Sequence, residues 1–192
     1  MCGLVGYVGT VQSVEVLLGG LRRLEYRGYD SAGVAVIGVD GELRTRKHAG
    51  KLQVLVDDLE HTALPNGSTG IGHTRWATHG GPTDENAHPH LGDDGKLALI
   101  HNGIIENFAE LKAELLAEHP DTVFTSETDS EVAAHLVGYA FREAHDVTEA
   151  LRAVVAKLHG AFTLLAVHQD QPGVVVGARR NSPLVIGLGD GE

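Results

Sequence analysis

Cysteine is almost absent from this chain, because Cys2 is the only one in 192 residues. A single cysteine cannot form an intramolecular disulfide, so the fold does not depend on a disulfide framework. This cysteine usage is typical of proteins that work in a reducing compartment. We therefore expect a cytoplasmic protein.

Long hydrophobic runs and basic clusters are missing as well. No apolar stretch approaches the roughly 20 residues that a membrane-spanning helix needs, and the N-terminus lacks the basic leader of a signal peptide. The largest groups of basic residues are Arg22-Arg23 and Arg179-Arg180, and the formal net charge is −11. Phosphate binding needs a concentrated cationic face. We expect neither a membrane nor a nucleic acid as a partner.

The chain has the composition of a soluble globular protein. Hydrophobic residues make up 42% and charged residues 21% of the sequence, which are ordinary values for such proteins. A length of 192 residues is enough for one domain with a substantial core. We expect residues 1–192 to form a single domain.

Hydrophobic periodicity predicts an α+β fold. The predicted strands are 3–8, 34–39, 42–48, 69–76, 96–100, 161–168, 173–178 and 184–188, and the predicted helices are 12–26, 52–60, 107–118, 128–143 and 147–158. Asp40-Gly41 is typical of a hairpin turn, and Ser126 or Thr128 is expected to cap the helix at 128–143. Residues 77–90 form a long irregular segment, which is usually functional in a compact domain. Helices grouped between two sets of strands favour stacked layers.

Cys2 has two interpretations. It is either a small buried hydrophobic residue at the start of a strand or a nucleophile. Removal of Met1 would leave Cys2 with a free α-amine, and the reference pKa values of the thiol and the amine are about 8.5 and about 7.7–8.0. An N-terminal amine that accepts the proton of its own side chain is a known way to activate a nucleophile.

Four polar clusters stand at strand ends or in glycine-rich loops, and each also has a purely structural interpretation. Arg27 and Asp30 could pair to stiffen a turn, and Asn102-Gly103 is a common turn dipeptide. An acid such as Asp129 is favoured in the first turn of any helix. The remaining cluster, which could be the polar face of an alternating strand, comprises His73, Arg75 and His79.

Histidines suggest a metal site as an alternative. The candidate ligands are His73, His79, His88, His90 and His101, with His88-Pro89-His90 at the centre. Zinc sites usually draw on helix-spaced histidine pairs or on several cysteines, and the sequence has neither pattern. We therefore expect no metal and no other cofactor.

Six motifs occur in order along the chain: MCGLVGYVG, LRRLEYRGYDSAG, GHTRWATHG, NAHPH, HNGIIEN and SETDSE. Together they resemble the glutaminase domain of the glutamine–fructose-6-phosphate aminotransferases, also called glucosamine-6-phosphate synthases. The resemblance extends from Cys2 to the closing SPLVIGLGDGE. The class II amidotransferases of purine, asparagine and glutamate synthesis share the Cys-Gly start and an Asn-Gly pair, but they resemble this chain less at YRGYDSAG and HTRWATHG.

The resemblance implies an N-terminal-nucleophile hydrolase fold, a four-layer α/β/β/α sandwich with two stacked antiparallel sheets. It implies that Cys2 is the nucleophile and that its own amine is the base. The Asn102 side-chain amide and the Gly103 backbone N–H would form the oxyanion hole. Arg75 would hold the α-carboxylate of glutamine, and Asp129 its α-ammonium group.

The resemblance also assigns residues around this centre. Trp76, Thr78 and His79 lie in the motif of the loop that closes over glutamine in this family. Arg27 and His88 are expected in supporting roles. The glycines around that loop are suited to a hinge and to the exclusion of water.

The implied reaction is the hydrolysis of L-glutamine to L-glutamate and ammonia through a Cys2 thioester. In the full-length enzymes the ammonia passes to fructose 6-phosphate held by sugar-isomerase domains, and the resemblance implies a homodimer. Nothing in this chain corresponds to the isomerase domains, so we expect a glutaminase domain without its ammonia acceptor. Two alternatives stay open: a glutamine-binding regulatory module without turnover if Met1 is retained, and the glutaminase domain of another class II amidotransferase.

Overall fold

The computed structural model describes residues 2–76 and 80–192. The strands are β1 (Gly3–Val8), β2 (Ser31–Ile37), β3 (Leu43–Ala49), β4 (Thr69–Arg75), β5 (His90–Leu91), β6 (Leu97–Ile105), β7 (Gly160–His168) and β8 (Val176–Arg180). The helices are α1 (Ser13–Leu24), α2 (Leu52–His61), α3 (Phe108–Glu118), α4 (Asp129–Ala144) and α5 (Val147–Lys157). Among the described residues, no helix is both long and apolar enough to cross a membrane.

The strands form two antiparallel sheets of four strands each. Sheet A has the order β1-β4-β2-β3, and sheet B has the order β5-β6-β7-β8. In sheet A, Gly3 of β1 lies opposite Thr74 of β4. In sheet B, Asn102 of β6 lies opposite Thr163 of β7. The start of β1 and the end of β4 therefore meet at one end of sheet A.

Alternating side chains of the central strands hold the four layers together. In β2, Val34 and Val36 pack against α1 and α2, whereas Ala35 and Ile37 face the other sheet. The cluster between the sheets consists of Ala35, Ile37, Ile71, Ala98, Ile100, Leu165 and Val167. Full burial of one valine, leucine or isoleucine contributes about 1.5–3 kcal/mol. The sheets thus stack face to face.

Helices α3, α4 and α5 cover the outer face of sheet B. Leu97, Leu99 and Phe162 of that sheet pack against the apolar side of α4 and α5. The order of layers is helices, sheet A, sheet B, helices. The predicted α/β/β/α sandwich with two stacked antiparallel sheets is therefore the observed architecture.

Two sequence predictions about strands are wrong. Residues 184–188 form no strand, and Val185, Ile186 and Leu188 are exposed, so this apolar run has no neighbouring strand to pair with. The strand expected at 96–100 continues to Ile105, so the alternative interpretation of Asn102-Gly103 as a turn does not hold. The cause is Gly103, which has φ +141° and on which a Cβ would lie 2.1 Å from the Ala161 oxygen. The missing side chain lets β7 approach and extend the pairing.

The other predicted elements are present with shifted ends. The strand expected at 173–178 is β8, Val176–Arg180, and the two-residue strand β5 was not predicted. The Asp40-Gly41 hairpin joins β2 to β3, with Gly41 at φ +81°. Of the two proposed caps for α4, Thr128 is the capping residue, and its side-chain oxygen accepts from Glu131 N.

Candidate active site

A cavity of about 230 Å³ opens where the ends of β4 and β6 meet the first turn of α4. Its described lining consists of Cys2, Arg75, Trp76, His88, His101, Asn102, Gly103, Ile104, Thr128, Asp129 and Ser130. A larger cavity, of about 770 Å³, lies beyond the same turn of α4 and contains neither Cys2 nor Asn102. The smaller cavity holds the thiol and most of the predicted site residues, so it is the candidate active site.

Cys2 lies immediately before β1 and is held between the two sheets. Its backbone nitrogen donates to Asn102 Oδ1 at 3.3 Å, and its Sγ accepts from Trp76 N at 3.5 Å. Burial raises the pKa of the Cys2 thiol, and the hydrogen bond with the Trp76 backbone offsets that rise only in part. The thiol is therefore protonated at neutral pH and needs a base before it can attack.

Asn102 and Gly103 line the same cavity as Cys2. Because Asn102 Oδ1 already accepts from Cys2 N, Nδ2 is the group of this amide that can donate to a ligand. Gly103 lines the same cavity and has the positive φ that glycine tolerates. An amide donor and a glycine of β6 therefore share the cavity with the thiol, which is the composition of an oxyanion hole.

Arg75, the last residue of β4, supplies a buried positive charge. Its Nη1 donates to Gly81 O at 3.0 Å and its Nη2 to Gly80 O at 3.3 Å. The side chain is only 3% exposed. A guanidinium in such surroundings is suited to clamp a carboxylate with two parallel hydrogen bonds.

Asp129, the first residue of α4, supplies the opposite charge. Its Oδ2 accepts from Ile105 N at 2.8 Å, and its Oδ1 lies 3.3 Å from Ser130 Oγ and 3.6 Å from His101 Nδ1. Burial acts to raise the pKa of Asp129, but the contacts with His101, Ile105 and Ser130 outweigh it, and the pKa falls below its usual value. Asp129 is therefore ionised at neutral pH.

Buried histidines form the wall behind the thiol. The His73 ring stacks on His88 with 4.2 Å between centroids, and His90 meets His88 edge-on at 4.6 Å. Burial lowers the pKa of His73 and of His90 to about 3 and that of His88 well below its usual range. All three imidazoles are neutral. Among the described residues, no three His, Cys, Asp or Glu side chains are placed to hold a metal ion.

The structure brings most, but not all, of the predicted residues together. Trp76 lines the cavity and is 46% exposed, with its ring edge-on to Tyr29. Arg27 is not in the described lining of the cavity, and its Nε donates to the Tyr26 hydroxyl at 2.9 Å. Thr78 and His79 lie outside the described residues.

The sequence does not predict a role in the cavity for three of its polar residues. Ser130 Oγ bonds to His101 Nδ1 at 2.9 Å, and Thr128 caps α4 and bonds to His90. From the sequence, His101 is only a candidate metal ligand. All three stand inside the motifs HNGIIEN and SETDSE or next to them, so membership of a motif was the signal that could have found them.

Comparisons with known proteins agree with this geometry. A family model described as a glutamine amidotransferase domain matches residues 73–190. The chain is 72% identical over its whole length to glutamine–fructose-6-phosphate aminotransferase [isomerizing] of Leifsonia xyli subsp. xyli and 60% identical to the enzyme of that name from Streptomyces coelicolor. It covers 31% of each of them, so the chain spans about a third of the length of the curated relatives it matches.

Solved structures show the same fold. The glutamine phosphoribosylpyrophosphate amidotransferase of B. subtilis matches with a TM-score of 0.71 and 29% identity, over 88% of this chain and 35% of that one. A structure described as the allosteric regulatory enzyme of purine biosynthesis matches with a TM-score of 0.73 and 30% identity, over 88% of this chain and 36% of that one. The predicted N-terminal-nucleophile hydrolase fold is confirmed, and the chain belongs to the glutamine amidotransferase domain family.

Proposed function

We propose that this chain hydrolyses L-glutamine to L-glutamate and ammonia, with Cys2 as the nucleophile. The observation that carries the proposal is that the thiol shares one cavity with the Asn102 amide, a buried guanidinium and a buried, ionised carboxylate. The thiol and the Asn102 amide would face the side-chain amide of glutamine, the guanidinium its α-carboxylate, and the carboxylate its α-ammonium group. A cavity of about 230 Å³ is of a size for an amino acid.

In the first step, Cys2 Sγ attacks the side-chain carbonyl carbon of glutamine, and the thiol proton passes to the free α-amine of Cys2. The carbon–nitrogen bond then breaks, the leaving nitrogen takes that proton, and ammonia departs. Water attacks the resulting thioester and releases glutamate and the thiol. Because burial raises the pKa of the thiol, the first proton transfer depends on the amine.

Asn102 and Gly103 would stabilise the tetrahedral intermediates of both steps. Each intermediate places a negative charge on the former carbonyl oxygen. The Asn102 Nδ2 group and the Gly103 backbone N–H are the donors proposed for that oxygen. Fixed donors of this kind are worth more inside a cavity than in water, because they need no reorganisation as the charge develops.

Arg75 and Asp129 would hold the two α-groups of glutamine. The lowered pKa of Asp129 keeps its carboxylate charged, as the binding of an ammonium group requires. The Arg75 side chain is positioned by Gly80 and Gly81, which limits its rotamers before substrate arrives. Such preorganisation reduces the entropy cost of binding.

We further propose that residues 1–192 are the glutaminase domain of a longer cytoplasmic enzyme that transfers ammonia to fructose 6-phosphate. The relatives named for that reaction are 72% and 60% identical to this chain, against 29% and 30% for the two solved structures above. The relatives are about three times as long, which supports an additional sugar-isomerase domain. A homodimer of the full-length enzyme is part of this proposal.

A second candidate function is that of a glutamine-binding regulatory module without turnover. The sequence carries Met1 before Cys2, and while Met1 is attached the nitrogen of Cys2 is a peptide nitrogen without a basic lone pair. The raised pKa of the thiol then leaves little thiolate at neutral pH. Binding without hydrolysis is the expected behaviour of that form.

The test compares the Met1-bearing chain with the same sample after treatment with methionine aminopeptidase. We expect glutamate release to rise by about 100- to 10,000-fold, the usual contribution of a general base, in step with loss of the methionine mass. Cys2→Ala, treated in the same way, should stay inactive. If a homogeneous Met1-bearing sample is as fast as the trimmed one, the α-amine is not the base. If the trimmed chain binds glutamine but releases no glutamate, the proposed hydrolysis is wrong.

A further inference from the structure

The two residues proposed to hold the α-groups of glutamine come from different layers of the fold. Arg75 ends β4 in sheet A, whereas Asp129 begins α4 on the outer face of sheet B. Neither residue hydrogen-bonds to the other among the contacts of the described residues. Their separation therefore depends on whatever joins these two segments.

One of the links between them is a single buried side chain, Asn86. Asn86 is 3% exposed, and its Nδ2 donates to Gly81 O at 3.1 Å and to Glu127 Oε2 at 3.3 Å. Its Oδ1 accepts from Glu127 N at 2.9 Å. One amide group thus bonds to the loop after β4 and to the segment that leads into α4.

Both ends of this bridge lead directly to a predicted substrate-binding residue. Gly81 O is shared, because it also accepts from Arg75 Nη1 at 3.0 Å. Glu127 lies two residues before Asp129 and is followed by the capping residue Thr128. Hydrogen bonds therefore run from the Arg75 guanidinium to the Gly81 carbonyl, from that carbonyl to the Asn86 amide, and from the amide to the segment before α4.

The space around Asn86 is tight. Gly80 has φ +76°, and a Cβ at Gly80 would lie only 2.6 Å from Asn86 Nδ2. Asparagine supplies a donor and an acceptor on one short, planar group. Aspartate at this position would keep an acceptor for Glu127 N but would place a negative charge against the Gly81 carbonyl and the Glu127 carboxylate.

We infer that Asn86 is a positioning residue that fixes the spacing between Arg75 and Asp129, and so sets the preference for substrates that carry both α-groups. Asn86 acts through these two residues and is not in the described lining of the cavity. The inference rests on the proposed function, because it takes Arg75 and Asp129 as the groups that hold glutamine. Loss of the bridge lets the two charges move relative to each other, while each of them keeps its own local contacts.

The experiment measures binding of two ligands in a Cys2→Ala background by calorimetry. One ligand is L-glutamine, and the other is glutaramate, which lacks only the α-amino group. The readout is the dissociation constant of glutaramate divided by that of L-glutamine, measured in the parent, in Asn86→Ala and in Asn86→Asp. A hydrogen bond to a charged group contributes roughly 10- to 100-fold to affinity, so we expect this ratio to fall by roughly 10- to 100-fold in both variants, with glutaramate binding nearly unchanged.

Asn107→Ala is the matched control. Asn107 Nδ2 donates to Lys157 O at 3.0 Å and its Oδ1 accepts from His159 N at 2.9 Å. Both partners lie in the segment 157–159, so Asn107 holds backbone groups with both ends of its amide, as Asn86 does, but it is not in the described lining of the cavity. Its variant should lower the melting temperature without changing the ratio.

The outcomes separate this inference from the proposed function. If the parent chain hydrolyses glutamine but the ratio is unchanged in Asn86→Ala, the inference fails and the proposed function stands. If the ratio falls but the trimmed parent releases no glutamate, the inference stands and the proposed function fails. Should Asn86→Ala not fold, Asn86→Asp carries the same measurement, because it retains an acceptor for Glu127 N. An equal loss of the ratio in Asn107→Ala would overturn the inference.

Discussion

The side-chain amide of Asn102, in sheet B, contacts the nucleophile with its oxygen and has its nitrogen available for a ligand. Its oxygen accepts from the nitrogen of Cys2, which fixes the orientation of the amide plane. Its nitrogen is then the donor proposed for the oxyanion. The positioning role and the proposed catalytic role of Asn102 can therefore be separated by a substitution that keeps the oxygen and removes the nitrogen.

Asn102→Asp is that substitution. In the Met1-free chain we expect kcat for glutamine hydrolysis to fall by about 100- to 1000-fold, because one oxyanion donor is lost. The change in KM should be small, since the α-groups are held elsewhere. Steady-state assays of glutamate release check this, with Asn107→Asp as the same substitution at a residue outside the described lining of the cavity. A kcat within a few-fold of the parent would remove Asn102 from the oxyanion hole.

At the residue scale, the motifs predicted which side chains meet at the cavity but not their contacts. Cys2, Arg75, Asn102, Gly103 and Asp129 all line it. Their roles stay predictions, since geometry without a ligand does not test them. The bridging residue Asn86 stands in the motif NAHPH, but its partner Glu127 is 41 positions away. Such a pairing depends on the tertiary fold and leaves no local signal in the sequence.

At the scale of elements, the segment before α4 is folded around one carboxylate. Glu131 Oε1 accepts from the backbone and side chain of Thr125, and Oε2 accepts from the backbone and side chain of Ser126, all at 2.7–2.8 Å. Burial acts to raise the pKa of Glu131, but its contact with His135 and these hydrogen bonds lower it far more. The carboxylate therefore holds the loop that delivers Asp129 to the cavity.

Glu131→Gln should destabilise the chain by about 3 kcal/mol or more. An amide can face only one of the two donor pairs with its oxygen, so two hydrogen bonds to a charged group are lost, each worth about 1.5–3 kcal/mol. Urea unfolding at neutral pH measures the change. The control is Glu149→Gln, since Glu149 occupies the same position in the first turn of α5 but is exposed and forms its ion pair with the exposed Arg152. An exposed pair of this kind is worth about 0–1 kcal/mol.

The effect of Glu131 should also depend on pH in one direction. The folded pKa lies below the ordinary value of about 4.3, so the unfolded chain takes up a proton first as the pH falls. The stabilisation is fully present above about pH 5 and is lost as the pH falls below about 4.3. The stability difference between the parent and Glu131→Gln should shrink over that acid range. A difference that stays constant down to pH 3 would contradict the role given to the charge.

Periodicity predicted the elements well where one face of a helix or both faces of a strand are buried. In α1, Leu17 and Leu21 are fully buried at helical spacing, and the predicted helix differs from the observed one by only a residue or two at each end. The errors arose where local pattern and tertiary neighbours disagree. The apolar run at 184–188 has no adjacent strand, and Asn102-Gly103 has the composition of a turn but pairs with β7.

At the scale of the whole molecule, the stacking of two sheets could not be derived from periodicity. Strand β2 is buried along its whole length, which also fits a parallel sheet covered by helices on both faces. The resemblance to a known family selected the sandwich, and the mixed cluster of Ile37, Ile71 and Ile100 between the sheets is its physical basis. The candidate site lies between the two sheets, so the nucleophile contacts Asn102 of sheet B and Trp76, which directly follows β4 of sheet A.

The 192-residue polypeptide by itself should release glutamate and ammonia in equal amounts and form no glucosamine 6-phosphate when fructose 6-phosphate is supplied. It spans 31% of the relatives named for that transfer, and Arg75 is the only lysine or arginine in the described lining of the candidate site. A sugar phosphate needs several cationic or N–H donors around its phosphate, and a net charge of −11 disfavours its approach.

Glutamine labelled with nitrogen-15 in its side-chain amide provides the measurement. All of the label should appear as ammonia, at the same rate with and without fructose 6-phosphate, and Cys2→Ala should release none. Because the rate is compared within one sample, the result does not depend on how much of the chain has lost Met1. Label recovered in an amino sugar would show that the acceptor site lies within these 192 residues and would overturn the division of labour proposed for the longer enzyme.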